Sequence, residues 1–317
     1  MTGKTYALNT PYGELRGIVS PELHPNGQLA GCRVTEINRL ATPAGLLTPR
    51  WALTSPRIKE SRSIFFYPDG SLKRLALQER SPVATPLPDL PPIPAELVCW
   101  HADGALKRLY PLNGKISAYW SENDEGELAY ALRRELPCGV VDNRIVSLFF
   151  YPGGALKGLS LWPGETAALR RPGQPPLTAR IGFTMFEDGE LRSFEPAFPQ
   201  LVRTPLGPAP AYDPEAVGVH GETPSVVFSA AGQAVSLRCP YAFVLTGKDG
   251  TTRRFQPGKR VDPLNEARFS PTSLALSFSD GAVTITTETA AQTFPLDAVA
   301  SLKTISLPLA GARRPGV

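Results

Sequence analysis

The sequence predicts an all-β protein: an array of antiparallel β-hairpins, laid out as an extended twisted sheet or an open β-roll, with little helix. Three observations lead there. One pattern, an aromatic or apolar run followed by a turn ending in Gly, then Leu and a basic residue, recurs along the chain. Turn signals come too often to leave room for long helices. Proline is abundant, at 34 residues, about twice its usual share of roughly 5%. Proline lacks a backbone N–H and is excluded from helix interiors and central strands, so the chain is cut into short elements.

The clearest copy of the pattern is Ile64-Phe65-Phe66-Tyr67-Pro68-Asp69-Gly70-Ser71-Leu72-Lys73-Arg74-Leu75. Val98 to Leu109, Leu148 to Leu159 and Phe183 to Phe194 repeat it. Aromatic and β-branched residues before the turn favour an extended, half-buried strand. Pro68 presets φ, Asp69 favours a turn, and Gly70 takes φ > 0, so the segment reads as a type I turn closed by a bulge glycine. Gly70, Gly104, Gly154 and Gly189 are the structural turn glycines; their spacings of 34, 50 and 35 are unequal. The longest gap holds a further hairpin-like element, Leu112-Asn113-Gly114-Lys115-Ile116. In a regular strand Leu72 and Leu75 would face opposite sides. Lys73, Lys107 and Lys157 share one place and read as solvated or edge-protecting side chains.

Weaker copies flank these. Pro25 to Leu29 lies upstream; turns at Gly232, Gly250 and Gly281 lie downstream. A shorter motif, Thr-Pro-x-Gly, occurs at 10–13, 42–45 and 204–207 and suits a turn between strands. The stretch 81–96 carries six prolines and reads as an extended connection, a candidate boundary or docking segment. The domain reading is a hairpin array over 1–205 and a C-terminal β region, 206–317, that continues it. A lone hairpin is marginal in water, so each unit needs its neighbours.

The units FYPDGSLKRL, FYPGGALKGL and MFEDGELRSF resemble the MORN-type repeat, closest to the bacterial variant found in antitoxin-like proteins. Pro111 to Trp120 resembles the second half of that repeat, with Ala118 where the family has a second glycine. The likeness covers about a third of the chain in short pieces, with irregular spacing. It implies a β-hairpin array used for protein or membrane contacts. The motif encodes a hairpin and no chemistry, so it bears on architecture before function.

The chemical inventory is thin. The three histidines, His24, His101 and His220, stand in no metal-ligand spacing. His101 beside Asp103 is a formal acid–base pair, but its place in the repeat matches Tyr67 and Tyr151. Ser121 to Gly126 is an acidic loop with Leu132 where a calcium loop needs a carboxylate, so it reads as a solvated loop. No nucleophile elbow, phosphate loop or dinucleotide fingerprint occurs. Cys32, Cys99, Cys138 and Cys239 form no CxxC pair, and the N-terminus shows no apolar signal segment, which reads as a cytoplasmic chain with reduced thiols.

The net charge of +4 is scattered over pairs such as Arg133-Arg134 and Arg313-Arg314. That pattern argues against nucleic acid, whose binders concentrate charge in a stripe. A membrane surface is only weakly indicated. The reading is a non-enzymatic interaction or scaffold module with a protein partner and no cofactor, metal or catalytic residue. Its antitoxin-like variant rests on resemblance. Tyr67, Trp100, Tyr119, Trp120, Tyr151 and Trp162 are the candidate interaction surface. The alternatives are an enzyme with a cleft assembled from distant loops, and a carbohydrate-binding module using exposed aromatics.

Overall fold

The computed structural model describes residues 6–172, 174–217, 224–262 and 265–305. Among them the chain is all-β, in antiparallel ladders, with one short α-helix, Glu122–Glu127, and one 3-10 turn, Leu296–Ala298. It forms two compact units: Met1–Glu165 with Glu187–Gly189, and Thr166–Phe186 with Glu190–Val317. The sequence reading draws its division at 205 instead. Leu177–Met185 and Leu191–Pro196, which fall before that point, are strands of the second unit.

In the first unit the ladder runs Tyr6–Thr10, Gly13–Leu23, Leu29–Val34, Ile64–Phe66, Leu72–Val83, Ile93–Trp100, Leu106–Tyr110, Gly139–Phe150, Leu156–Leu161. Tyr130–Leu136 pairs with the first half of Gly139–Phe150. The Pro-rich stretch joins two paired strands, with Pro82 opposite Pro94 and Val83 opposite Ile93. In the second unit the ladder runs Ala167–Leu169, Leu177–Met185, Leu191–Pro196, Val226–Phe228, Ala234–Cys239, Leu274–Ser279, Ala282–Thr286, Ala291–Pro295. Smaller sheets join Gln200–Thr204 to Gly207–Ala211, and Ala242–Gly247 to both Thr252–Phe255 and Val299–Ile305.

One turn geometry recurs. Residue i donates to the carbonyl of i+4 and accepts from the N–H of the glycine at i+3 at His24, Tyr67, His101, Tyr151, Ser229 and Gly247. The glycines Gly70, Gly104, Gly154 and Gly189 have φ of +82°, +85°, +87° and +86°. That is left-handed backbone, which a side chain with a Cβ enters only at a cost. The acid before the glycine has a mechanical role: Asp69, Asp103 and Asp249 each accept from the N–H two residues on, at 2.9–3.0 Å. The turn at Gly281 differs. Asp280 and Gly281 both have φ > 0, at +50° and +72°, and make a two-residue hairpin turn.

The fate of the two leucines corrects the simple alternation. Leu72 and Leu75 are both buried. Phe65 pairs with Arg74 but Phe66 pairs with Leu72, so Lys73 is an extra, unpaired residue. This β-bulge turns Leu72 back to the core. The same shift sets apart Lys107, Lys157 and Arg192. The basic side chain does more than stay solvated: Lys73 Nζ lies 5.4 Å over the Tyr67 ring, Lys157 Nζ 5.8 Å over Tyr151, and the Arg192 guanidinium 5.7 Å over Phe186.

The Thr-Pro-x-Gly turns are likewise built alike. Thr10, Thr42 and Thr204 hydroxyls donate to the carbonyls of Gly13, Gly45 and Gly207 at 2.6–2.7 Å. Two other readings change. Leu112 to Ile116 is not a hairpin: Gly114 bridges to Ile58, and Lys115 N–H donates to the Arg57 carbonyl. Ser121 to Gly126 is not a solvated loop: Ser121 and Asp124 close a capping box on the helix, and Glu125 is buried.

The core follows from register. In the first unit Cys32, Ile64, Leu75, Val98, Leu109, Leu148 and Leu159 form one unbroken cross-strand row, all fully buried. In the second, Phe183, Phe194, Val226, Leu237, Leu276 and Ile285 form another. Each such side chain contributes roughly 1.5–3 kcal/mol on burial. The residue just before the turn head is buried too: Phe66, Trp100 and Phe150 in the first unit, Met185 and Phe228 in the second.

Candidate functional site

Successive residues of a strand point to opposite faces, so each core row has an outer row beside it. In the first unit the outer row reads Gly31, Phe65, Arg74, Cys99, Arg108, Phe149, Gly158 across seven strands. Each cation stands beside an aromatic, with Cys99 between the two pairs. The Arg74 guanidinium lies 4.5 Å from the centre of the Phe65 ring, and the Arg108 guanidinium 4.3 Å from that of Phe149. Arg108 also donates to the Tyr110 hydroxyl at 2.8 Å. Gly31 admits the Phe65 ring, because a Cβ there would lie 2.9 Å from it. Phe65, Arg74, Cys99 and Arg108 are half-buried, and Phe149 is buried.

The row carries two positive charges, Arg74 and Arg108. Arg74 Nε is buried without a hydrogen-bond partner among the described residues. Burial first, then the charges of Arg74 and Arg33, pull the nearby Arg50 guanidinium down from its ordinary value. Arg50 is anchored by the carbonyl and hydroxyl of Ser61 at 3.0 and 2.9 Å. Cys99 sits between two arginines, yet burial outweighs their attraction and pushes its thiol up to about 11. It is protonated at neutral pH and is a poor nucleophile. The row can therefore stack on and hydrogen-bond to an anionic group, but it offers no base or nucleophile.

An ion-pair node, with Glu125 buried and Arg57 and Glu96 half-buried, fixes the loops of the same unit. Arg57 Nη1 and Nη2 reach the two Glu96 oxygens at 2.8 and 3.0 Å. Its Nε and Nη2 reach Glu125 at 2.9 and 2.6 Å. Gly114 N–H and the Trp120 indole also donate to Glu125, at 3.0 and 2.6 Å. Burial alone would raise the Glu125 carboxyl; these donors overcome it and hold the group below its ordinary value. The node borders a cavity of about 250 Å³ that includes Arg50, Arg80 and Gln78.

The aromatics chosen from sequence scatter. Trp100 is 1% exposed and belongs to the core, because it sits where Phe66 and Phe150 sit in their hairpins. Trp120 holds Glu125. Trp162 packs its indole against Gly126. Tyr67 donates its hydroxyl to the Trp100 carbonyl at 2.9 Å, while His24 Nε2 and His101 Nε2 lie 3.1 Å from the carbonyls of Phe66 and Phe150. These three links tie each turn head to the next hairpin. His101 and Asp103 are thus spent separately and form no acid–base pair. Tyr151 is half-buried under Lys157, and Tyr119 is 86% exposed. His220 lies outside the described residues.

Sequence reading missed Phe65, Arg74, Arg108 and Phe149 as a set. The signal was present: an Arg follows Leu-Lys in the first two copies and an aromatic precedes the turn by two in the first and third. Only the bulge brings them into one row.

In the second unit the outer row is Thr184, Ser193, Val227, Ser236, Ser277, Thr284, Thr293. Hydroxyls pair across it, Thr184 with Ser193 and Thr284 with Thr293. Beside it Glu195 is buried; burial raises its carboxyl, against hydrogen bonds from Ser225 N–H and hydroxyl at 3.0 and 2.5 Å.

Among the described residues no group of three or more His, Cys, Asp or Glu is placed to hold a metal, and no helix is long and apolar enough to cross a membrane. Compared with known proteins, the chain matches no family model, no curated protein and no solved structure.

Proposed function

We propose that the protein is a non-enzymatic interaction module that binds a protein partner through the outer face of its first unit. The observation that carries this reading is the row Phe65, Arg74, Cys99, Arg108, Phe149. Two half-buried guanidiniums, each stacked on an aromatic ring, suit a partner surface bearing Asp or Glu side chains. Arginine set on an aromatic ring is preorganised, so little rotamer entropy is lost on docking. Arg and aromatic residues are also the side chains that dominate binding energy at protein interfaces.

The chain is read as a MORN-like hairpin array. The recurring turn, the bulge after it and the links between successive turn heads support that reading. The antitoxin-like role, in which the partner is a cognate protein, follows from the resemblance alone. Four cysteines outside disulfides fit a cytoplasmic location.

The test is affinity capture from the native cell extract with the full chain and with an Arg74→Glu/Arg108→Glu variant. A partner held by the wild type and lost by the variant, with binding that weakens as salt rises, is the expected result. A partner retained equally by both, or turnover of a small substrate lost on changing one polar cleft residue, overturns the reading.

A further inference from the structure

Three of the turn glycines in the first unit share a proline cover, while Gly27 and Gly70 stand open; one turn of the second unit has a different neighbour. A Cβ on Gly104, Gly154 or Gly189 would meet a proline ring: Pro43, Pro86 and Pro137 respectively. Gly232 occupies the same turn, with φ +77°, but its neighbour is the Arg171 guanidinium. Arg171 Nη2 donates to the Gly232 carbonyl, and the guanidinium stacks 3.7 Å over the Phe228 ring. A charge stands where three of the turns place an apolar ring. Such a swap costs desolvation, and burial does pull the Arg171 guanidinium below its ordinary value, with Glu190 acting in the other direction.

Arg171 borders a cleft of about 310 Å³ in the second unit. Arg203 borders it too, and among the described residues makes no ion pair. The side-chain amides of Gln174 and Gln233 and the side chain of Thr204 complete its polar lining, and no carboxylate lines it. Glu190 lies instead on a neighbouring hollow that shares Arg171. We propose that this cleft binds a small phosphate-bearing ligand. Two positive charges without a lining acid match a dianion, and planar guanidiniums match phosphate oxygens in pairs. The amides supply further donors. The volume is at the lower end of ligand sites, roughly 300–1,000 Å³, which fits a phosphate on a small body. This proposal is independent of the sheet-face reading.

The test is isothermal titration of the full chain with inorganic phosphate, glycerol 3-phosphate and acetate at matched ionic strength. Saturable phosphate binding is expected, weakened about tenfold or more by Arg203→Gln, which removes one of two charge-assisted contacts at an exposed position. Arg170→Gln, an exposed neighbour outside the lining, should stay within about twofold of wild type. Arg171→Lys keeps the charge and loses the fork, and should also weaken binding. Tighter binding of glycerol 3-phosphate identifies an ester as the ligand; equal binding identifies free phosphate. No saturable binding, an Arg203→Gln variant that binds like wild type, or acetate binding as tightly as phosphate would overturn the proposal.

Discussion

The two units share a register but not a surface. Both build an unbroken apolar row across their sheets, yet the row behind it is Phe-Arg-Cys-Arg-Phe in the first unit and almost all Ser and Thr in the second. The turns and the alternation set the architecture in both. The outer row is free to vary, and there the chemistry of the two units separates. The units also treat a buried carboxylate differently. Glu125 is matched by a guanidinium, an indole and a backbone N–H; Glu195 has two donors on one oxygen, while its Oε1 makes no hydrogen bond and has Arg180 at 3.6 Å.

The largest expected effect tests that contrast. Arg57→Ala leaves Glu96 and Glu125 facing each other inside the first unit, and should destabilise it by about 3–5 kcal/mol. Hydrogen exchange should show the loss in residues 48–62 and 111–128 and leave the second unit's ladder unchanged; a loss spread evenly over both units would break the comparison.

Next come the turns, where the units should agree. Gly70→Val and Gly250→Val put a β-branched residue at φ of +82° and +83°, in open space, and each should cost about 1–3 kcal/mol by chemical denaturation. Gly189→Ala should cost more than Gly70→Ala, because its Cβ would lie 2.6 Å from Pro137. Equal costs would mean the proline cover is loose.

The acid response should then have opposite signs. The Glu195 carboxyl is raised in the fold, so its ionised form is penalised. As pH falls from neutral through that raised value toward the ordinary 4.5, the second unit gains stability. The Glu125 carboxyl is lowered, so its contribution is complete above 4.5 and is lost as pH falls further through the folded value. Exchange rates followed in each unit from pH 7 to 3 would show it. Both units weakening together above 4.5 would contradict the assignment. Thr284→Val, at the far end of the hydroxyl row, should be the smallest change, about 0.5 kcal/mol or less, since its partner Thr293 is exposed.

Much of the fold was legible because glycine and proline act locally. Pro68-Asp69-Gly70 specifies its turn whatever surrounds it. The bulge at Lys73 was not legible, because an extra residue is defined only by the strand it faces, and so the partnership of Phe65 with Arg74 was hidden. Glu125 was misread for a related reason. Its acid neighbours suggest solvent, and the charge that matches it in its buried place, Arg57, is 68 residues away. Trp100 was assigned to the surface on residue type, when its place beside the turn head assigns it to the core.

The central claim is that the first unit's outer row is the docking face. Hydrogen–deuterium exchange of the full chain, alone and with its captured partner, tests it most directly. The account predicts protection over 64–66, 72–75, 97–100, 106–110 and 147–150, abolished by Arg74→Glu/Arg108→Glu. Protection confined to the hydroxyl row of the second unit, over 274–286 and 291–295, would contradict it.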